Sequence, residues 1–298
     1  MKTKIVSGHF LLLSAAVIWG FAFVAQSKGM DFMQPLTFNG IRFLIGAVSL
    51  IPLAFLFKPT ITRKTPMRKG LLMGLLAGVP LFFASSFQQL GILYTSAGNA
   101  GFITSLYIVF VPLFALTRRK KAGAQTWLGI VLATIGLYFI SAYPGFTMQI
   151  GDLLVLISAI FWALHLIVLS YLSPGYDFRL LAISQYLFVG LLSLGIGLLW
   201  KETFNWESIQ GAMWPLLYAG IASVGIGYTL QLTGQRTVRA DHAALILSLE
   251  AVFAAFGGWL LLSENLSTVG IFGSTLMLAG VIVAQVSFTR KQKTLKPK

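Results

Sequence analysis

The chain has 298 residues, of which 57% are hydrophobic and 10% charged, with a mean hydropathy of +0.83. A soluble domain carries about 25% charged residues, so no aqueous fold hides this much apolar surface and the bilayer must act as solvent. The net charge of +14 does not point to nucleic acid, because the basic residues sit in short segments between apolar runs, and the lack of cysteine excludes thiolate metal sites, disulfides and a cysteine nucleophile.

Ten apolar runs read as membrane spans: 8–27, 35–57, 70–90, 98–117, 125–142, 150–171, 178–200, 213–233, 241–262 and 268–288. Most are long enough to cross roughly 30 Å of hydrocarbon as helix, the one conformation that pairs its own backbone groups there. The first run, from Phe10 to Ala25, reads as a span and not as a cleavable signal peptide, because it is long and no Ala-x-Ala site follows it. No soluble domain fits between the spans, and the alternating ten-residue strands of a β-barrel do not occur.

Lys and Arg set the expected orientation. With the N-terminus in the cytoplasm, 19 of the 22 basic residues fall on the inside. They include Lys2 and Lys4, the group from Lys58 to Lys69, the run Arg118–Lys121, Arg179, Arg236, Arg239 and the tail from Arg290. Only Lys28 and Lys201 fall outside, and Arg42 lies within a span. The bias predicts a plasma-membrane protein with both termini cytoplasmic.

The two halves resemble each other at an offset near 143. Trp19 matches Trp162, and Gly46 matches Gly190. Gln88-Gln89-Leu90-Gly91 matches Gln231-Leu232-Thr233-Gly234, and Ala97–Ala100 matches Ala240–Ala243. Ser105-Leu106 matches Ser248-Leu249, and Gly129 and Gly136 match Gly273 and Gly280. The offset predicts repeats over 1–145 and 146–298. Five spans is an odd number, so the second half starts from the opposite side and the repeats are inverted. Secondary transporters use that symmetry to build one midplane site that opens to either side. Duplication kept only for packing is the alternative.

In span 1 the chain reads Ala16-Val17-Ile18-Trp19-Gly20-Phe21-Ala22-Phe23, and in span 2 Ile41-Arg42-Phe43-Leu44-Ile45-Gly46-Ala47. The second half carries Leu247-Ser248-Leu249-Glu250-Ala251-Val252-Phe253-Ala254 and Gly258-Trp259-Leu260-Leu261-Leu262-Ser263-Glu264. With these motifs the chain resembles the drug/metabolite transporter superfamily, in its EamA-type branch, over roughly 10–288. The resemblance implies an all-α fold of ten transmembrane helices, in two inverted five-helix repeats around a central cavity. It also implies transport, often export, of small organic solutes such as amino acids. Two positions depart from the family pattern. Ala251 follows Glu250 where the family often has Pro, and Arg118–Lys121 stand where it often has Glu, which leaves Glu264 without a counterpart in the first repeat.

Glu250 leads the candidate residues, because a carboxylate about nine residues into span 9 is costly and faces a cavity or a partner. It is read as a proton-coupling or substrate-amine group, or as a structural carboxylate. Arg42 is the cation within a span, and binds a substrate carboxylate, pairs with Glu250, or snorkels to backbone carbonyls. Trp19 and Trp162, at equivalent repeat positions, suggest cavity walls that stack on a substrate. His165 lies one turn from Trp162 and is a candidate relay or a packing residue. Gln88, Gln89, Gln231, Asn99, Tyr107, Tyr186 and Tyr228 can supply oriented polar groups or interhelical hydrogen bonds. Pro80 and Pro112 are candidate kinks.

These residues add up to a secondary transporter, an exporter or exchanger of a small organic metabolite such as an amino acid. It works by alternating access, with protons as the candidate coupling ion. Its expected partners are the solute, membrane lipid and protons, and it is a monomer or homodimer. No cofactor is expected, since no P-loop pattern occurs and three scattered His make no metal site. A membrane-embedded enzyme and a channel are the alternatives, and no HExxH or GxSxG motif favours the enzyme.

Overall fold

In a computed structural model, residues 2–56, 66–117, 123–141, 149–203, 205–265 and 267–292 are described. All their regular structure is helical. Lys58, Arg63, Lys64, the run Arg118–Lys121, the last tail lysines and the expected repeat boundary at 145 lie outside these residues.

The first span is α1 (Lys2–Gly29), followed by α2 (Pro35–Leu56) and α3 (Met67–Ile92). The fourth is split into α4 (Ala97–Ser105) and α5 (Tyr107–Thr117). Next come α6 (Ala124–Ser141), α7 (Ile150–Leu172), α8 (Phe178–Leu199) and a short loop helix, α9 (Trp206–Gly211). The eighth run is α10 (Met213–Leu217), a π-helical stretch (Tyr218–Gly227) and α11 (Tyr228–Gly234). The ninth is split into α12 (Ala240–Leu247) and α13 (Glu250–Leu262), and α14 (Thr268–Gln292) is last. Eight helical runs are long and apolar enough to cross a membrane, and two more apolar helices, Ala124–Phe139 and Thr268–Ala284, are shorter. The expected count of ten crossings therefore requires both short helices to span.

The breaks in the fourth and ninth runs correct the expectation of continuous helices. Neither break falls on Pro or Gly. At the first, the Leu106 N–H turns back to Ile103 O, and at the second Leu249 N–H bonds to Ile246 O and Ala251 N–H to Ser248 O. These i−3 bonds are the tight 3₁₀ geometry. The two breaks touch, for Ser105 Oγ donates to Ser248 O at 3.1 Å. Pro112 lies inside α5, downstream of the break, and α3 continues past Pro80.

Small residues let the helices approach closely, as lipid-embedded packing requires. Gly129 of α6 abuts the carbonyl of Gly280 in α14, and Gly136 abuts that of Gly273. In the same way Gly8 meets Gly234, and Gly91 meets Gly151. The largest apolar core runs through α1, α2, α3, α7, α8 and the broken runs. It leaves a small cavity where the breaks meet.

Candidate functional site

The cavity takes its walls from both halves of the chain. Trp19 and Gln26 come from α1, Arg42 from α2, Gln88 from α3 and Tyr107 from the start of α5. Trp162 comes from α7, Ser223 from the π stretch, Tyr228 and Gln231 from α11, and Glu250 from the start of α13. The free room is about 30 Å³, enough for about two water molecules.

Its aromatic side centres on Tyr228. The Trp19 ring lies 4.8 Å from it, the Trp162 ring 5.9 Å away and nearly parallel at 18°, and Phe43 stacks behind at 6.0 Å. Trp19 is fixed by its Nε1–H, which donates to Ser223 O at 3.2 Å. A π-helix shifts the ladder to i−5, so the Tyr228 N–H also reaches Ser223 O.

Its charged side holds Arg42 and Glu250, only 2% and 3% exposed. Arg42 donates Nε–H and Nη2–H to Asn39 Oδ1 at 3.0 and 2.8 Å. Asn39 is itself held, since its Nδ2 donates to Ser193 Oγ at 3.0 Å and to Ser85 Oγ at 3.2 Å. Three of the five guanidinium donors remain for the cavity. Among the described residues no carboxylate lies within 4 Å of Arg42, so a pairing with Glu250, one of the three alternatives for this residue, does not form. The two charges occupy one cavity on separate supports.

Glu250 stands at the first position of α13, directly after the break, not deep within an unbroken helix. Its neighbour is Tyr107, close enough to interact electrostatically. The Tyr107 hydroxyl and the Glu250 carboxyl approach each other, short of full hydrogen-bond geometry. Gln26 Oε1, Trp162 Nε1 and Gln231 Oε1 are buried and unpartnered while lining the cavity. Orphaned buried polar atoms are few in a finished core, and these three face one space.

Eight of the twelve candidate residues thus meet: Glu250, Trp19, Trp162, Arg42, Gln88, Gln231, Tyr107 and Tyr228. His165 does not line the space. It lies behind Trp162, at 5.9 Å between rings, and its Nε2 bonds to Gln185 Oε1 at 3.0 Å. Asn99 also lies elsewhere, in the first turn of α4, with its N–H on Ser96 Oγ. Gln89 turns to Met30 Sδ and Gln26 O, away from the cavity.

Sequence reasoning missed Asn39, Ser223 and Gln26. Asn39 was within reach, because it lies three residues before Arg42 and so shares its helix face. Ser223 acts through its backbone carbonyl, which accepts from both the Tyr228 N–H and the Trp19 Nε1–H, so its residue type gives no sign of the role. Glu202 and Asp152 were also missed. Glu202 accepts Leu36 N–H and Thr37 N–H, and Asp152 Oδ1 accepts from Thr95 Oγ1 at 2.6 Å. Glu264 has its partners outside the repeat pattern, in the N–H groups of Ala97 and Gly98.

The sequence model of the EamA-like transporter family matches residues 6–142 and again 149–285. The chain belongs to the EamA-like transporter family. An uncharacterized transporter of Archaeoglobus fulgidus is 32% identical over 92% of this chain and 84% of its own length. The uncharacterized transporter YoaV of Bacillus subtilis is 23% identical over 94% of this chain and 97% of its own. One solved crystal structure superposes with a TM-score of 0.77 over 94% of this chain and 98% of that one, at 17% identity, a likeness of fold. This EamA-like protein is therefore a multi-pass membrane transporter.

Proposed function

We propose that this transporter moves a small organic metabolite bearing a carboxylate and an amine, such as an amino acid, through the central cavity by alternating access. One observation carries the reading. Arg42 and Glu250, a base and an acid, are buried and unpaired with each other, and they share a cavity walled by Trp19, Trp162 and Tyr228. Arg42 offers donors to a carboxylate, Glu250 accepts an ammonium, and the rings cover an apolar remainder. In the present form the cavity is too small for such a solute, so its walls must separate during the cycle.

Inverted repeats give that movement a symmetric frame. Contacts related by the offset of 143–144 support them. The Gly8–Gly234 contact has its mate in Gly151–Gly91, and Gly129–Gly280 has its mate in Gly273–Gly136. Ser105 and Ser248, which touch, are 143 apart. Tyr107 and Glu250 are equivalent as well, each opening the second half of a broken run. In this reading both short apolar helices span, ten crossings result, and both termini are cytoplasmic at the plasma membrane.

Glu250 is also the candidate proton carrier, since a proton and a substrate amine compete for its carboxylate. The test is purified protein in liposomes, screened with amino acids, amines and nucleosides with and without a pH gradient. Saturable counterflow of an amino acid is expected, and a non-saturating flux favours a channel. Glu250→Gln is expected to weaken binding of the solute's amine, raising the KM of counterflow, and to abolish the response to the gradient. An unchanged rate and pH dependence in that variant would remove the coupling role.

A further inference from the structure

Among the described residues, two positions other than glycine have positive φ, Lys201 at 60° and Ser263 at 57°. Each lies just past the end of a helix, α8 or α13, and each is followed by a glutamate. The glutamate's own N–H turns back onto the helix it leaves. Glu202 N–H reaches Gly197 O at 2.8 Å, and Glu264 N–H reaches Gly258 O at 3.1 Å. The carboxylate then crosses to the N-terminus of a different helix. Glu202 Oε1 accepts Leu36 N–H at 3.2 Å, while its Oε2 accepts Thr37 N–H at 2.7 Å and Thr37 Oγ1–H at 2.8 Å. Glu264 Oε1 and Oε2 accept Ala97 N–H and Gly98 N–H at 3.0 and 3.1 Å. The glycine beneath each carboxylate also makes room for it. A Cβ on Gly197 would lie 3.2 Å from Glu202 Oε2, and one on Gly258 would collide with Glu264 Oε2.

A left-handed backbone is costly for a residue with a Cβ, and it persists where the surroundings over-determine it. A helix N-terminus offers unpaired N–H groups at the positive end of the dipole, which suits a carboxylate. The same construction thus occurs twice, joining α8 to α2 and α13 to α4. Both lie on one face of the bundle, because α3 ends and α4 begins where α7 begins and α8 ends. The Thr95–Asp152 bond joins α3 and α7 at that face too.

The opposite face differs. There an opening of about 560 Å³ lies between α5, α7 and the segment from Gln235 to Asp241. Its wall is one helical turn from the central cavity on three helices, as Val111 follows Tyr107, Ser170 follows Leu166, and Gln235 follows Gln231. Helix starts on this face use their own residues. Asp177 Oδ1 accepts Arg179 N–H at 3.0 Å, and Asp241 Oδ1 accepts His242 N–H at 3.1 Å. Asp177 also lies within electrostatic reach of Arg236, which lines the opening.

We propose that Glu202 and Glu264 are paired gate latches, which hold one face of the transporter shut while the vestibule face gives access, and which must release for the cavity to open the other way. This rests on the alternating-access reading. They are positioning residues, acting on access through α2 and α4 and not on the solute. With the basic segments inside, the latched face is the outer one.

The chain has no cysteine, so one introduced thiol reports access without background. Ala22→Cys places it in the cavity wall. Labelling by a membrane-impermeant thiol reagent is measured from each face of oriented vesicles, with Glu202→Gln, Glu264→Gln and both. The double variant is expected to raise the rate from the latched face about tenfold and to lower it from the vestibule face, as a population shift requires. Gly258→Ala, which displaces the Glu264 carboxylate and keeps its charge, is expected to act in the same direction, and it decides the matter if the glutamine variants do not fold. Unchanged labelling from the latched face overturns the proposal, and so does an equal rise from both faces. No solute is needed, so failure here is distinct from failure of solute transport.

Discussion

Trp19 can stand in the cavity wall because position 227 carries no side chain. A Cβ on Gly227 would run into the indole Nε1, the atom that bonds to Ser223 O. Gly227→Ala is therefore expected to push the indole into the cavity and break that bond. Overpacking of this kind costs about 1–3 kcal/mol. A lower unfolding temperature in detergent and a higher KM for the solute would be the readings, and an unchanged KM would place Trp19 outside the binding surface. At this scale the candidate residues were legible as types. A carboxylate, a guanidinium and two indoles inside apolar runs announce themselves by their cost in lipid. Which of them meet was not legible. Arg42 turns to Asn39 and leaves Glu250 to Tyr107, while His165 turns to Gln185, and each choice depends on helix rotation against neighbours far along the chain.

Between elements, two features set the geometry. One is the seam of α6 and α14, where Gly136 abuts Gly273 O and Gly129 abuts Gly280 O. The other is the contact of the two helix breaks through Ser105 and Ser248. Ser105→Ala removes a buried bond worth about 0.5–1.5 kcal/mol net. A modest loss of thermal stability is expected, with a larger change in transport rate, because the breaks carry Tyr107 and Glu250. Equal loss in rate and stability would assign the contact to packing alone. The apolar runs marked the elements well, and the expected starts at 35, 150 and 178 are those of α2, α7 and α8. The breaks were hidden. Proline drew attention to Pro80 and Pro112, yet the chain breaks after Ser105 and Leu247, where a bond across the bundle competes with the helix ladder.

Over the whole molecule, charge and contacts give two different kinds of asymmetry. The basic segments are expected on one face, and the Glu202 and Glu264 carboxylates and the opening beside α5 lie on opposite faces. If both termini are cytoplasmic, a fluorescent protein fused at the C-terminus is expected to glow, and alkaline phosphatase inserted in the 205–212 loop is expected to be active. Dark fusions at the C-terminus would shift the count of crossings by one. Order along the chain suffices for the choice of solvent and the near-positions of the helices, because hydropathy is a property of a line. It also suffices for the family, whose motifs are contiguous. Folding in three dimensions settles which polar groups share the cavity. A carboxylate at a helix start bonds to backbone N–H groups, which every residue but proline carries, so no letter in the sequence marks the partner of Glu202 or Glu264. The lipid-embedded helical bundle thus gains its working parts from contacts between segments as much as 204 residues apart.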